Sequence, residues 1–206
     1  MSGFVKICGM TDERAVDAAL AAGADAIGFV FAKSPREVAP ARAAELARPA
    51  RGRALCIAVT LHPAQADIDA ILADFAPDAL QTDSEDFAQL KLPVSLARLP
   101  VLRSGSVIDD ASLHARVLFE GPRSGAGRVA DWEAARRVAS RCQMILAGGL
   151  GPDNVAEAIA QVRPFGVDVS SGVELAPGRK DPARIVSFIE RARRAFADPT
   201  LERSHP

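Results

Sequence analysis

The stretch FVKICGMTDERAVDAALAAGADAIGFVF, residues 4–31, contains one complete strand–helix–strand unit. Its two ends are short runs of apolar and β-branched residues, a pattern typical of buried strands. Between them, Ala, Val and Leu recur three and four residues apart, opposite Asp, Glu and Arg, which predicts an amphipathic helix. Thr11-Asp12-Glu13 is suited to the start of that helix, and Gly23 is suited to its end. The stretch therefore predicts an α/β protein.

The same unit recurs along the rest of the chain. Apolar runs lie at 5–8, 26–31, 54–60, 79–82, 100–104, 116–120, 144–149 and 165–171. Residues suited to helix starts or first turns stand at Pro40, Asp131 and Asp153. Segments 84–97 and 106–115 fit the pattern least well because Pro93 and Pro100 interrupt it. We expect short or irregular connections in those two segments.

Eight strands alternating with about eight helices, at roughly 26 residues per unit, favour a compact (β/α)₈ TIM barrel. The alternative is a doubly wound open sheet, which usually carries a G-x-G-x-x-G loop directly after its first strand. The turn here is CGMTDE, residues 8–13, and has no such pattern. We expect one barrel domain over residues 1–206, with 198–206 as a loose tail.

Composition limits the classes of partner. The chain has 206 residues, 49% hydrophobic and 25% charged, and its 25 Lys and Arg nearly balance its 26 Asp and Glu. This balance predicts neither a nucleic-acid nor a membrane partner. Cys8, Cys56 and Cys142 form no Cys-x-x-Cys pair, which argues against a disulfide framework and for a reducing cytosol. The most apolar short run, 26–32, is too short to span a bilayer, so we expect a cytoplasmic protein.

Polar residues and glycines gather where the predicted strands end, the edge that carries the active site of such barrels. In chain order these are Cys8-Gly9, Ser34-Pro35-Arg36, Thr60, Gln81-Thr82-Asp83, Arg103-Ser104, Glu120-Gly121, Gly148-Gly149, and Asp168 with Ser170-Ser171-Gly172. The pattern predicts a site for a small charged metabolite.

The loops after the last two strands are suited to a phosphate group. Gly148 and Gly149 let the backbone approach an oxyanion closely, and Ser170, Ser171 and Gly172 offer hydroxyl and backbone N–H donors. The simpler interpretation is that the two glycines only turn the chain and the two serines only cap a helix.

Cys8 allows two interpretations. A cysteine in an apolar strand is most often inert packing. Its position at a strand end favours a functional role, because Cys56 and Cys142 lie at strand or helix starts.

Three charged residues also have a structural alternative. Glu120 ends an apolar strand and is either functional or paired with Arg123 or Arg128. Arg36 is either a surface cation or an anion clamp beyond a proline-stiffened turn. Asp168, in an apolar strand, needs a partner, and a substrate hydroxyl could serve.

The three histidines give no metal-binding pattern. His62 and His114 lie in predicted loops or helices, and His205 lies in the tail. None stands at ligand spacing from another His, Asp or Glu along the sequence, so we predict no metal.

Four segments together resemble one enzyme family, phosphoribosylanthranilate isomerase of tryptophan biosynthesis. They are VKICGMT (5–11), GADAIGFVFAKSPREV (23–38), ILAGGLGPDNVAEAI (145–159) and RPFGVDVSSGVELAPGRKDP (163–182). The likeness extends from residue 5 to about 195 with the strand spacing kept. It implies a (β/α)₈ barrel without a cofactor, acting on a small phosphorylated substrate as a monomer or homodimer. The implied reaction is the Amadori rearrangement of N-(5-phosphoribosyl)anthranilate to 1-(2-carboxyphenylamino)-1-deoxyribulose 5-phosphate.

The resemblance also implies residue roles. Cys8 corresponds to the general base and Glu120 to the general acid. The phosphate would lie on the loops at Gly148-Gly149 and Ser170-Ser171-Gly172. Substrate-binding roles fall on Arg36, which would face the anthranilate, and on Gln81, Gly127 and Asp168.

The chain departs from the family pattern in three places. The family's acid is usually Asp, and here it is Glu120, one methylene longer. The usual Gln-Leu-His after the fourth strand is Gln81-Thr82-Asp83, and the usual Gly-Gly-x-Gly-Lys after the sixth is RSGAGRV, residues 123–129.

Three other functions compete. A histidine-pathway isomerase performs the same chemistry but carries Asp in place of Cys8 and a second phosphate loop. A ribulose-phosphate epimerase would need metal-binding histidines at strand ends. A catalytically silent phosphate-binding barrel, acting as a scaffold or sensor, is the third, because a fold does not determine a function.

Overall fold

A computed structural model describes residues 3–105, 115–121 and 131–199 of the chain. Eight parallel strands close into a barrel in chain order: β1 (Phe4–Cys8), β2 (Ala26–Val30), β3 (Leu55–Val59), β4 (Ala79–Asp83), β5 (Ala97–Arg103), β6 (Arg116–Glu120), β7 (Gln143–Leu146) and β8 (Gly166–Val169). The described α-helices are α1 (Glu13–Ala21), α2 (Pro40–Ala47), α3 (Gln65–Asp74), α4 (Trp132–Ala139), α5 (Val155–Val162) and α6 (Pro182–Phe196). A short antiparallel pair, β9 (Glu174–Ala176) and β10 (Arg179–Lys180), follows β8. The predicted (β/α)₈ barrel is confirmed.

Most of the predicted helix boundaries are confirmed. Pro40 begins α2, Gly23 follows α1 with a φ of +83°, and the Asp131 carboxylate accepts two backbone N–H groups at the start of α4. The expectation for Asp153 is wrong by one residue, because Asn154 precedes α5. The Asn154 side chain bonds to the N–H of Gly151 and to the carbonyl of Gly149, which ties the β7–α5 loop together.

The connection after β4 is irregular, as predicted. Residues Ser84–Ala88 form a 3₁₀ turn, but β5 then begins at Ala97 rather than at Pro100. Proline is compatible with extended backbone and removes only one ladder donor, so Pro100 lies inside the strand opposite Thr82. Residues 106–114 of the other weak segment and 200–206 of the expected tail lie outside the described residues.

Two apolar layers show which side chains face the barrel interior. The outer layer, between the strands and helices, includes Val5, Ile7, Val117 and Phe119. The inner layer includes Ala26, Ile57, Ala79, Leu99, Val101, Leu118, Ile145 and Ala147, with Phe4 and Phe165 packed against it. Since side chains alternate along a strand, Cys8 follows the parity of Phe4, and Glu120 follows that of Leu118. Both therefore face inward at the carboxyl ends of their strands.

The opposite end of the barrel is closed by aromatic and cationic side chains. The rings of Phe4 and Phe165 stack at 5.9 Å, and the Arg116 guanidinium lies 5.4 Å and 4.7 Å from their centroids. Arg116 also donates to the side-chain oxygen of Gln143. Stacked rings and one guanidinium therefore cover the amino ends of the strands. Within the described residues, none of the helices has both the length and the apolar character that crossing a bilayer requires.

Phe188 provides a test of the packing between helix and barrel. Its side chain is fully buried in α6, within the outer apolar layer. We expect Phe188→Ala to lower the free energy of unfolding by about 3–5 kcal/mol, because it removes a buried ring and leaves a cavity. Urea denaturation followed by circular dichroism measures this. The fully exposed Val94, replaced by Ala, is the control and should change the value by less than about 0.5 kcal/mol.

Candidate active site

Cys8 lies opposite a residue without a side chain on the neighbouring strand, β2. Its partner across the sheet is Gly28, and a methyl group there would lie 3.0 Å from the Cys8 Sγ and 3.3 Å from the Lys6 Nζ. Gly9 has a φ of +79°, and a methyl group on it would lie 2.6 Å from Arg36 Cδ and 3.2 Å from Ser170 Oγ. The structure therefore places the predicted residues Arg36 and Ser170 next to the turn that follows Cys8.

A buried ion pair lies directly below the cysteine. The Lys6 side chain is fully buried, and its Nζ lies 2.9 Å from Asp168 Oδ1. Burial acts to lower the pKa of Lys6, but the charge of Asp168 and the contact with Cys8 outweigh it and raise the pKa to about 12. Lys6 is the partner of Asp168 within the chain. Sequence reasoning missed this ion pair, although the lysine in the otherwise apolar run VKIC, residues 5–8, was a signal for a buried charge.

The thiol of Cys8 is subject to opposing effects. Burial raises the pKa of Cys8 above its ordinary value, and the carboxylate of Asp168 adds to this. Lys6 and Lys180 act in the opposite direction, because a nearby cation stabilises a thiolate. The net result is a raised pKa, so the cysteine is a thiol in the structure, next to two cations that reduce the cost of deprotonating it.

Arg36 is held at the site by a carboxylate. Its Nε and Nη2 donate to the two oxygens of Glu174 at 2.7 Å and 2.8 Å. Glu174 also lies 3.0 Å from the Nζ of Lys180, which in turn donates to the carbonyl of Ser170 at 2.9 Å. Burial acts to raise the pKa of Glu174, but Arg36 and Lys180 outweigh it and lower the pKa. Arg36 is thus a fixed cation of the site, and sequence reasoning assigned no role to the two residues that fix it.

The two predicted phosphate loops contact each other. Gly148 and Gly149 have φ values of +91° and +66° after β7. A methyl group on Gly172, after β8, would collide with the carbonyl of Leu150. Ser170 makes no side-chain capping bond to the short 3₁₀ turn Ser171–Val173, which does not support a capping role for it. The two loops therefore pack tightly against each other at Gly172.

Glu120 belongs to a second charged cluster. Arg103 Nη1 lies 2.7 Å from Glu120 Oε1, and the same guanidinium donates to both oxygens of Asp83 at 2.5 Å and 3.2 Å. Burial acts to lower the pKa of Arg103, but the two carboxylates outweigh it and raise the pKa. The alternative partners Arg123 and Arg128 lie outside the described residues. Arg103 is therefore a further charged residue that sequence reasoning placed at a strand end without a role.

Gln81 is a further predicted substrate-binding residue that the structure describes. Gln81 faces inward on β4 with Ala79, and its Oε1 is buried without a hydrogen-bond partner among the described residues. This is the position of a group that a ligand would satisfy. Gly127 lies outside the described residues.

His62 lies close to two carboxylates that its spacing along the sequence does not indicate. Its Nδ1 lies 2.9 Å from Asp86 and its Nε2 lies 3.5 Å from Asp83, about twenty residues further along the chain. Sequence spacing missed this contact because β3 and β4 are neighbours in the barrel. His62, Asp83 and Glu85 bring possible ligand atoms within 4.8 Å of one another. Asp83 is already bound by Arg103, so these residues do not define a metal centre. His114 and His205 lie outside the described residues.

The fold and the site define a (β/α)₈-barrel enzyme with titratable side chains and glycine-containing loops at the carboxyl ends of its strands. Residues 5–191 match the model of the family described as N-(5'phosphoribosyl)anthranilate (PRA) isomerase. The chain belongs to this family.

Individual relatives and structures agree with that assignment. The chain is 38% identical to the N-(5'-phosphoribosyl)anthranilate isomerase of Rhizobium rhizogenes, covering 92% of this chain and 94% of the relative. It is 41% identical to that of Rhodopseudomonas palustris, covering 92% and 95%. The crystal structure of TrpF from Jonesia denitrificans is similar with a TM-score of 0.78 and 34% identity, over 96% of this chain and 100% of that one. A phosphoribosyl anthranilate isomerase in complex with reduced 1-(o-carboxyphenylamino)-1-deoxyribulose 5-phosphate is similar with a TM-score of 0.73 and 28% identity, over 92% and 98%.

The Lys6–Asp168 pair provides a test of the site's electrostatics. We expect Asp168→Asn to lower the free energy of unfolding by about 3–5 kcal/mol, because it leaves the buried Lys6 cation without its carboxylate. Urea denaturation at neutral pH measures the change. Glu133→Gln is the matched control, since it breaks an exposed pair with Arg137 and should cost less than about 1 kcal/mol. Equal effects of the two variants would contradict the interpretation.

Proposed function

We propose that the chain catalyses the Amadori rearrangement of N-(5-phosphoribosyl)anthranilate to 1-(2-carboxyphenylamino)-1-deoxyribulose 5-phosphate, a step of tryptophan biosynthesis. The observation that carries this is the inward orientation of Cys8 and Glu120 at the carboxyl ends of β1 and β6, in one closed barrel. A base and an acid on opposite sides of one cavity suit a reaction that moves protons at two atoms of one substrate. The names of the relatives support the choice of substrate.

Glu120 and Cys8 each carry out one of the two proton transfers. Glu120, in its protonated form, donates to the ribose ring oxygen; the C1–O bond breaks and the ring opens to an iminium. The thiolate of Cys8 removes the proton from C2, which gives an enolamine. The enolamine gains a proton at C1 and loses the proton of its 2-hydroxyl, so the ketose product is an isomer of the substrate.

The other predicted site residues bind the rest of the substrate. The glycine-lined loops at Gly148-Gly149 and Ser170-Ser171-Gly172 hold the phosphate through backbone N–H groups and hydroxyls. Arg36 faces the anthranilate carboxylate, and its contact with Glu174 keeps the guanidinium at the site. Gln81, Gly127 and Asp168 complete the contacts to the sugar.

Location and assembly follow from the same assignment. We place the reaction in the cytoplasm, where reduced cysteines persist. The protein acts as a monomer or a homodimer. One structural neighbour, with a TM-score of 0.76, is a monomeric form generated from the dimeric phosphoribosylanthranilate isomerase of Thermotoga maritima. Analytical ultracentrifugation of the purified chain distinguishes these two states.

Conversion of the synthetic substrate, followed by the loss of anthranilate-type fluorescence, tests the proposed roles. We expect Cys8→Ser and Glu120→Gln each to lower kcat by about 10²–10⁴-fold, because each removes one proton-transfer group. Affinity for reduced 1-(o-carboxyphenylamino)-1-deoxyribulose 5-phosphate should change little, since neither residue is assigned to the phosphate.

Cys142→Ser is the matched control for the cysteine. Cys142 is a half-buried free thiol that follows α4, so its replacement should leave kcat unchanged. Full activity in Cys8→Ser would reject Cys8 as the base. Binding of the reduced analogue by the wild type without any turnover would instead identify a silent phosphate-binding barrel.

The pH dependence of kcat/KM provides a separate test of the base. Cys8 acts as the thiolate, and its pKa is raised, so only a small fraction is active at neutral pH. Below that pKa the thiolate fraction increases about tenfold per pH unit, so we expect the residual kcat/KM of Glu120→Gln, in which no carboxylic acid titrates at that position, to rise between about pH 6 and pH 8. Initial rates in a buffer series of constant ionic strength measure this. A profile that is flat over the same range would contradict a thiolate base.

A further inference from the structure

Arg103 joins two carboxylates that come from different strands. Its strand partner across β5 and β6 is Glu120, while Asp83 lies opposite Val101, one inward position earlier on β5. The guanidinium nevertheless directs two of its nitrogens to Asp83, at 2.5 Å and 3.2 Å, and one to Glu120, at 2.7 Å. The side chains of Asp83, Glu120 and Arg103 are 6%, 11% and 21% exposed, so water screens these contacts weakly.

The arrangement bears on how Glu120 works as an acid. A carboxylate that faces a whole guanidinium is stabilised as the anion and gives a poor proton donor. Here the paired N–H groups of Arg103 are occupied by Asp83, and Asp83 adds a negative charge beside Glu120. Compared with a guanidinium that faces Glu120 alone, both effects weaken the stabilisation of the Glu120 anion, and the first step of the proposed reaction requires the protonated form.

We propose that Asp83 is a positioning residue, which acts through Arg103 to hold Glu120 in place and to keep it able to carry a proton. The inference rests on the proposed function and adds a residue that does not itself contact the reacting atoms. It also accounts for why a carboxylate, rather than a neutral side chain, ends β4 in this chain.

Other charged groups border this network on two sides. His62, in the loop after β3, has its Nε2 3.5 Å from Asp83 Oδ2, and its Nδ1 is 2.9 Å from Asp86 in the 3₁₀ turn after β4. Hydrogen bonding to Asp86 raises the pKa of His62, and the charges of Asp83 and Glu85 add to it. Asp86 pairs with His62 and Thr82, whereas Arg103 is bound by Asp83 and Glu120. Asp86 therefore provides a carboxylate of the same charge close to the network with a different set of partners.

The decisive experiment compares the pH profiles of kcat and KM in the wild type, Asp83→Asn and Asp86→Asn. In Asp83→Asn a negative charge beside Glu120 is removed and Arg103 loses one carboxylate partner, and both changes should favour the Glu120 anion. On the alkaline side of the kcat profile, activity falls as Glu120 loses its proton. We expect this fall to occur about one pH unit lower in the variant, and kcat at neutral pH to decrease about tenfold. KM should change less than about threefold, because Asp83 is not assigned to the substrate. Asp86→Asn should retain the wild-type profile, and Asp83→Glu should restore most of the activity.

A titration that does not require catalysis distinguishes the role of Asp83 from the proposed isomerase function. The side-chain carboxyl of Glu120 is titrated by ¹³C NMR in glutamate-labelled protein, with Glu120→Gln identifying its resonance. A lower midpoint in Asp83→Asn than in the wild type supports the inference even if the wild type shows no isomerase activity, in which case only the proposed function fails. An unchanged midpoint in Asp83→Asn, or an equal shift in Asp86→Asn, overturns the inference while leaving the isomerase assignment intact. If Asp83→Asn does not fold, Arg103→Lys is the second variant, because it keeps the positive charge but loses the paired N–H donors of the guanidinium. An unaltered pH profile in Arg103→Lys overturns the inference.

Discussion

The buried contact between Lys6 and Asp168 lies where the first and last strands pair to close the barrel. The two residues are register partners across β1 and β8, the first and last strands of the ring, and 162 positions separate them in the chain. Leaving either charge unpaired at that depth would cost several kcal/mol, so the pair is maintained only while the ring is closed. Closure in turn brings the loop after β8, with Ser170 and Lys180, beside the cysteine at the end of β1. The local environment of Cys8 thus depends on a contact between the two ends of the fold.

The closed ring also separates the two proposed proton-transfer groups. Cys8 shares its surroundings with the cations Lys6 and Lys180, which favour the thiolate. Glu120 shares Arg103 with a second carboxylate, which limits how strongly the guanidinium favours the anion. The cations beside Cys8 thus reduce the cost of forming its thiolate, whereas Asp83 competes with Glu120 for the guanidinium of Arg103. Two such environments are hard to maintain side by side, because a cation that stabilises the thiolate would also stabilise the carboxylate anion.

The fold was predictable from the sequence because its signal is local and repeated. Each strand is marked by a short apolar run, and helix ends are marked by residues such as Pro40, Gly23 and Asp131, so errors at Asp153 and Pro100 moved a boundary without changing the topology. The residues at strand ends were predictable too, since all parallel strands of a barrel end on one side. The partners of those residues were not predictable. Lys6 with Asp168, Arg36 with Glu174, and Arg103 with Asp83 are each separated by 20 to 162 positions, and no periodicity within one segment indicates them.

The charges in the described part of the site largely cancel. Four cations, Lys6, Arg36, Arg103 and Lys180, meet four carboxylates, Asp83, Glu120, Asp168 and Glu174. A phosphorylated substrate that also carries a carboxylate brings about three negative charges into surroundings whose own charged side chains are already paired. In the proposed function, backbone N–H groups of the loops at Gly148-Gly149 and Ser170-Ser171-Gly172 bind the phosphate without adding a charged side chain. Phosphate binding by such dipoles would leave the cations engaged with their carboxylates and the cysteine, so it need not dismantle the ion pairs beside Cys8 and Glu120.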